Sequence, residues 1–234
     1  IDLGEAEFAV GDLNLGAGML GIGIACVGSG TQVLDGPNFC FGAGIAGVGV
    51  LLKEGGASTF QSGVLSQGFG MLGIGLMVSS GTSRFNASSV AQGAARTQGV
   101  GWLVASGARN EFRADRQAQG YSSGHDDFEG GLPGGVGILT DLSAGSSFKC
   151  VERCQGFGES NAVGVVYSAA KSDFLAEGLS QGCGIESGAG YWLQASQVGG
   201  SLVSTHPMSQ AYAGRRSVGV IWSSRGGNLV AMPG

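Results

Sequence analysis

The sequence predicts an all-β protein, a parallel β-helix (β-solenoid) of about eight coils with about 26 residues in each coil. Two recurring marks and the abundance of glycine support this prediction. The first mark is a glycine followed by two to four apolar residues, which recurs about every 26 residues from Gly23 to Gly219. The second mark is a phenylalanine that is followed seven residues later by Gln-Gly. Because both marks keep a fixed spacing along the chain, they indicate a structural repeat.

The first mark places one glycine at the same position of every coil. These glycines are Gly23, Gly49, Gly75, Gly101, Gly137, Gly164, Gly190 and Gly219. Glycine inside a strand weakens it, so the position needs a reason. Either the backbone turns a corner there with positive φ, or another layer of protein approaches closely. In the second case the glycines would form a flat track along the rod, against which another layer could pack.

The second mark predicts two internal columns. The residues that carry it intact are Phe60, Phe85, Phe112, Phe148 and Phe174, with Gln67, Gln92, Gln119, Gln155 and Gln181. In stacked coils the phenylalanines would lie over one another as an interior aromatic stack. The glutamines would form an amide ladder in which each side chain donates to the next.

Composition favours strands over helices. The chain contains 48 glycines in 234 residues, and each glycine costs about 1 kcal/mol in a helix interior. The short apolar runs, bounded by Gly and Ser, are typical of short strands. Stacked coils would place equivalent strands about 4.8 Å apart in parallel register.

Charge is scarce and unevenly placed. Only 12% of the residues are charged, against roughly 25% in ordinary soluble domains. Part of the surface is therefore expected to be covered by a partner, or else to consist of neutral polar residues. Residues 1–54 carry a net charge of −5 and residues 187–234 a net charge of +3. A solenoid would turn this into an acidic end and a basic end, which attract each other in head-to-tail contact.

The five cysteines are interpreted as small buried apolar residues. Cys40 and Cys154 share a column but lie four coils apart, about 19 Å by the strand spacing and beyond disulfide reach. Cys150 and Cys154 are four residues apart and also too distant, unless a corner of the chain intervenes. No apolar run approaches the 18 residues of a spanning helix, so we expect no membrane span.

We expect a single β-solenoid domain over residues 1–234, either processed or a piece of a longer chain, with an inserted loop at about residues 121–131. Insertions in repeat proteins often form the binding face. The loop holds a set of side chains that could bind a divalent ion or a basic group of a partner. They are Tyr121, His125, Asp126, Asp127 and Glu129. A solvated loop without a ligand is the alternative interpretation.

Catalytic patterns are weak in this chain. β-Helices that cleave polysaccharides use carboxylates grouped on neighbouring coils, and Asp141 and Asp173 are the candidates worth testing. They occupy different columns of the repeat. No catalytic residue, metal site or cofactor is assigned, and we lean towards a protein that is not an enzyme.

The repeat resembles Gly-rich parallel β-helix proteins of bacterial surfaces and fibres, whose coils read Gly-x-x-Asp-x-aromatic…Gln-Gly. Only Ser172-Asp173-Phe174 keeps the aspartate of that pattern. The resemblance is architectural, covers nearly the whole chain, and implies the fold and an extracellular or cell-surface location. We therefore expect a non-catalytic structural or interaction protein, a rigid rod that self-associates or docks in a larger surface or fibre assembly.

The alternative function is a carbohydrate-binding or carbohydrate-cleaving β-helix, similar to tailspikes or polysaccharide lyases, which would use the loop at 121–131. The expected partner is protein, with polysaccharide as the second possibility. We expect no nucleic-acid partner and no cofactor.

Overall fold

A computed structural model of the protein describes a stack of short parallel strands. The described residues are 6–9, 11–124, 132–196, 201–204, 210–224 and 228–231. All regular elements in these ranges are β-strands, with no helix among them, and all strand pairs are parallel. The predicted fold class, a parallel β-solenoid, is confirmed.

The strands form three sheets, each of which takes one strand from each complete coil. Sheet A consists of β1 (Ala6–Ala9), β4 (Gln32–Gly36), β7 (Ala57–Val64), β10 (Thr82–Ser89), β13 (Glu111–Arg116), β16 (Ser146–Glu152), β19 (Ser172–Ala176), β22 (Ser201–Ser204) and β24 (Asn228–Ala231). Sheet B consists of two-residue strands, β2 (Gly18–Met19), β5 (Gly44–Ile45), β8 (Gly70–Met71), β11 (Ala95–Arg96), β14 (Ser122–Ser123), β17 (Gly158–Glu159) and β20 (Gly184–Ile185). Sheet C consists of β3 (Ile22–Val27), β6 (Val48–Lys53), β9 (Ile74–Ser80), β12 (Val100–Ser106), β15 (Val136–Asp141), β18 (Val163–Ser168), β21 (Ala189–Gln194) and β23 (Val218–Ser223).

The order of strands within each sheet follows the order of the chain, so position along the sequence is position along the rod. About seven turns contain a strand of all three sheets, against the eight coils predicted. The eighth turn pairs β22 with β19 and β23 with β21, and β24 continues sheet A beyond it. The described residues of the acidic segment and those of the basic segment therefore lie at opposite ends of the rod.

The five phenylalanines of the second mark point inward from sheet A and stack. Successive ring centroids are 5.3, 4.9, 4.4 and 4.1 Å apart from Phe60 to Phe174, and the ring planes are within 9° of parallel. Phe41 and Trp192 close the two ends of the stack with edge-on contacts. Leu51, Met77 and their equivalents on sheet C pack against this stack to form the main core.

The glycine column of sheet C also points inward, which makes the prediction of an exposed glycine track wrong. These glycines have no positive φ. A Cβ on Gly75 would overlap the Phe69 carbonyl, and one on Gly101 would overlap the Ala94 carbonyl. The layer that approaches these glycines closely is therefore the chain's own backbone, just before it enters sheet B. At this point the coil is too thin to leave room for a side chain.

Each Gln-Gly pair forms the corner between sheets A and B, and both residues adopt left-handed backbone conformations. The φ angles are 53° at Gln67 and 77° at Gly68. The Gln67 Nε2 donates to the carbonyl of Phe60 in its own coil and to that of Asn86 in the next coil. The glutamines at 92, 119 and 155 repeat this pair of bonds.

The predicted amide ladder is therefore wrong for these glutamines, since the corner directs each amide towards main-chain carbonyls. Each amide thereby ties its corner to the sheet A strand of its own coil and to that of the next coil. One amide-to-amide bond is present, from Gln210 Nε2 to Gln181 Oε1.

Two of the five cysteines form a disulfide, contrary to the interpretation of all five as unpaired apolar residues. Cys150 and Cys154 are joined across a corner at Arg153, whose φ is 52°, and their Cα atoms are 6.3 Å apart. The corner shortens a separation that an extended strand would not allow. Cys40 and Cys183 are buried and belong to no disulfide among the described residues, and Cys26 is exposed.

Candidate functional site

The outer surface of sheet C is apolar over all eight strands. Alternate residues of each strand project outward, in three columns that run the length of the rod. The columns are Ile22, Val48, Ile74, Val100, Val136, Val163, Ala189, Val218; Ile24, Val50, Leu76, Trp102, Ile138, Val165, Tyr191, Val220; and Cys26, Leu52, Val78, Val104, Thr140, Tyr167, Leu193, Trp222. We call this surface the apolar face.

Several large side chains of the apolar face are exposed to solvent, and others are partly buried. Ile22 is 76% exposed, Trp102 41% and Trp222 49%. None of the outward positions in the described strands carries a charge. Three hydroxyls lie on the face, those of Thr140, Tyr167 and Tyr191, and the Thr140 hydroxyl accepts a hydrogen bond from the Trp102 indole at 3.1 Å. Contiguous apolar surfaces of this extent mark interaction sites in soluble proteins.

The outer surface of sheet A, unlike that of sheet C, carries charged residues. Glu111 there pairs with Arg84 at 2.9 Å and with Arg113 at 3.3 Å. The hydrogen bond from Arg84 holds the pKa of the Glu111 carboxyl below its usual value. Lys149 and Asp173 project from the following strands of the same surface. The rod therefore has one polar broad side and one apolar broad side.

Four of the predicted loop residues, His125, Asp126, Asp127 and Glu129, lie outside the described residues. Their role in binding an ion or a polysaccharide stays a prediction. Tyr121 is described and belongs to the repeat rather than to the inserted loop. It directly follows Gln119-Gly120, and its buried ring stacks on Phe157 at 6.1 Å.

The Tyr121 hydroxyl belongs to a small polar cluster between coils. It donates to Glu159 at 3.0 Å and accepts from Gln117 at 3.1 Å, and Arg153 bonds the same Glu159 carboxylate. Burial raises the pKa of Tyr121 to about 12, with the Glu159 charge as a further cause. The cluster ties neighbouring coils together, and a binding role for Tyr121 stays a prediction.

The two carboxylates considered for catalysis are not brought together. Asp141 lies inside the solenoid and is fully buried, and its Oδ1 accepts a hydrogen bond from Asn110 at 3.2 Å. Asp173 lies on the outer surface of sheet A, where it accepts from the backbone and side chain of Ser201. An acid and a base acting on one glycosidic bond must flank it on a shared surface, which this arrangement does not provide.

Comparisons with known proteins find no relative. The chain matches no protein-family model, no curated protein and no solved structure. Among the described residues there is no cluster of His, Cys, Asp or Glu that could hold a metal ion. Nor is any helix in them long and apolar enough to cross a membrane.

Sequence reasoning missed the apolar face, although the signal was present. The apolar runs mark the repeat, but they also show which side of each strand is apolar. A strand with one solvated side should alternate apolar and polar residues. In sheet C, the residues just before the glycine, just after it and three after it are apolar in nearly every coil.

Proposed function

We propose that this protein is a non-catalytic structural protein, a rigid rod that self-associates through its apolar face. The observation that carries the proposal is the eight-stranded outer surface of sheet C, which has no charged residue. A sheet surface of this kind packs against another sheet at about 10 Å, as the inner surfaces of β-sandwiches do. A second copy supplies a surface of the same length and character.

The size of the apolar face suits a stable interface. Eight strands about 4.8 Å apart and six residues wide give a footprint of roughly 700 Å². Stable protein interfaces bury roughly 800 Å² on each partner. Because no charge has to be removed from water, burial of the apolar side chains drives association without that cost.

Sedimentation velocity over a range of protein concentrations tests the proposal. The wild-type protein should associate, and Ile138→Lys at the centre of the apolar face should be monomeric. Association should weaken at least ~100-fold, because burying an uncompensated charge costs several kcal/mol. Ser147→Lys adds the same charge to the exposed outer surface of sheet A and should associate like the wild type. A wild-type protein that stays monomeric at high concentration would overturn the proposal.

A further inference from the structure

We infer that the second copy lies antiparallel to the first, with the acidic end of each rod beside the basic end of the other. This inference rests on the self-association proposed above and adds the orientation of the two rods. The two copies would be related by a two-fold axis that runs along the strands of sheet C, within the interface. Such a contact uses the same surface on both copies and closes on itself.

Two symmetric arrangements are available to two identical faces. With the axis along the strands, the rods are antiparallel, and each strand faces the strand counted from the opposite end. With the axis along the rod, the rods are parallel, and each strand faces its own equivalent with its outer columns exchanged. The side chains of the apolar face distinguish between these arrangements.

In the antiparallel arrangement every large aromatic residue of the face meets an aliphatic residue or a cysteine. β12 faces β15, β18 faces β9, β21 faces β6 and β23 faces β3, each within the same column. The resulting opposed pairs are Trp102 with Ile138, Tyr167 with Val78, Tyr191 with Val50, and Trp222 with Cys26. Large residues opposite smaller ones allow two layers to interdigitate.

In the parallel arrangement the middle column faces itself. Trp102 would then meet Trp102 of the second copy, and Tyr191 would meet Tyr191. Two sheets about 10 Å apart have no room for opposed pairs of large rings without separating locally. Packing therefore favours antiparallel rods.

Charge favours the same arrangement. The described residues among 6–54 carry a net charge of −3 and those among 187–224 a net charge of +2, and these segments lie at opposite ends of the rod. Antiparallel rods place opposite charges together at both ends of the pair. Parallel rods would place the two acidic ends side by side, which is unfavourable.

Chemical cross-linking distinguishes the two orientations, and the protein supplies one of the thiols. Cys26 is the exposed cysteine at one end of the apolar face, whereas Cys40 and Cys183 are buried. Ser224 is exposed at the other end of the face, just beyond Trp222. Within one chain, Cys26 and residue 224 are seven strand spacings apart, about 34 Å. A bis-maleimide linker of roughly 10 Å cannot join them within one rod but spans two packed sheets.

Ser224→Cys treated with this linker should give a covalent dimer on a denaturing gel. The wild-type protein should give none, because antiparallel pairing holds the two Cys26 thiols about 34 Å apart. Gly21→Cys is the control for the opposite orientation, since it would be near the second copy's Cys26 only in a parallel pair. Cross-linking of Gly21→Cys instead of Ser224→Cys would overturn the antiparallel arrangement.

The failure of this inference differs from the failure of the proposed function. If Ser224→Cys is not cross-linked while sedimentation still shows association that Ile138→Lys abolishes, the antiparallel arrangement is wrong and the self-association stands. If sedimentation shows a monomer throughout, both are wrong.

Discussion

At the scale of single residues, the corner glutamines combine a strained backbone with two buried hydrogen bonds. Gln119 has φ 54°, and its Nε2 donates to the Phe112 carbonyl at 3.2 Å and the Lys149 carbonyl at 3.0 Å. A left-handed non-glycine residue costs of order 1 kcal/mol or more. The two hydrogen bonds of its side chain, one to each of two neighbouring coils, offset that cost.

We expect Gln119→Ala to lower the free energy of unfolding by about 1–3 kcal/mol, because two buried carbonyls lose their donor. Urea denaturation followed by circular dichroism measures this change. The matched control is Gln98→Ala, since Gln98 has φ 55° but an exposed side chain. If both variants lose the same stability, the backbone conformation and not the side-chain bonds is responsible.

Asp141 gives the protein a stability that depends on pH. Burial is the largest cause that raises the pKa of its carboxyl, and hydrogen bonds from Asn110 and Ser143 oppose the shift in part. A carboxyl whose pKa is raised on folding stabilises the protein fully below its unfolded pKa, about 3.9. This contribution is lost as the pH rises through the folded pKa.

Asp141→Asn should therefore be more stable than the wild-type protein at pH 7, and the difference should shrink as the pH falls towards 4. Denaturation at a series of pH values measures this difference. Ser147→Ala on the exposed outer surface of sheet A changes no ionisable group and is the control. A constant difference between Asp141→Asn and the wild type at every pH would contradict the assignment.

At the scale of elements, the closeness of sheets B and C depends on a column without side chains. Gly101 lies against the Ala94 carbonyl, and its equivalents repeat this contact in each coil. A methyl group there must push a β-strand away from the backbone of the same coil. The glycine column therefore sets the flatness of the coil, and with it the flatness of the apolar face.

Gly101→Ala should destabilise the fold by at least ~3 kcal/mol, at the upper end of overpacked core substitutions, because backbone rather than a movable side chain blocks the methyl group. Chemical denaturation and expression in soluble form report the effect. Gly11→Ala is the control, since no atom lies within 4 Å of its Cβ position. A Gly101→Ala variant as stable as Gly11→Ala would show that the coil can widen freely.

At the scale of the whole molecule, the coils stack in the order of the sequence. A charge or polarity that varies along the chain therefore varies along the rod. Its ends differ in charge, and its two broad sides differ in polarity. The apolar face contributes to the low charge of the composition, because none of its positions in sheet C carries a charge. The charge gradient also suggests head-to-tail stacking of rods into a fibre. That stacking and antiparallel pairing compete, because both use the attraction between the acidic end of one rod and the basic end of another.

We expect Arg215→Glu combined with Arg216→Glu to weaken the pair several-fold, and added salt to reduce the difference, because the attraction between the ends is screened. Sedimentation equilibrium at two ionic strengths measures both effects. Arg84→Glu changes the charge of a middle coil on sheet A and is the control. A stronger pair after reversal of the two arginines would contradict the antiparallel arrangement.

The repeat, the strand positions and the inward phenylalanines followed from the sequence alone, because stacked coils must keep equivalent residues in register. The predictions from sequence are wrong where a side chain has two possible partners. A buried glutamine can donate to another amide or to a carbonyl, and Cys150 and Cys154 are near each other only if the chain turns at Arg153. Tyr121 stands next to the inserted loop in the sequence, which places it with the loop in the prediction, although its ring packs in the repeat.

The sequence by itself determined that this chain is a β-solenoid, since period, glycine content and short apolar runs permit no helical repeat. The tertiary structure alone decided which side of the sheet C strands faces outward. In those strands the outward side is apolar, whereas the inward side carries glycine, an apolar residue and, in most coils, a buried polar residue such as Ser79, Asp141 or Gln194. The alternation that normally marks the buried side is therefore absent. The contact of Gly75 and its equivalents with the backbone leading into sheet B fixes that column inside, and the columns flanking it become the apolar face.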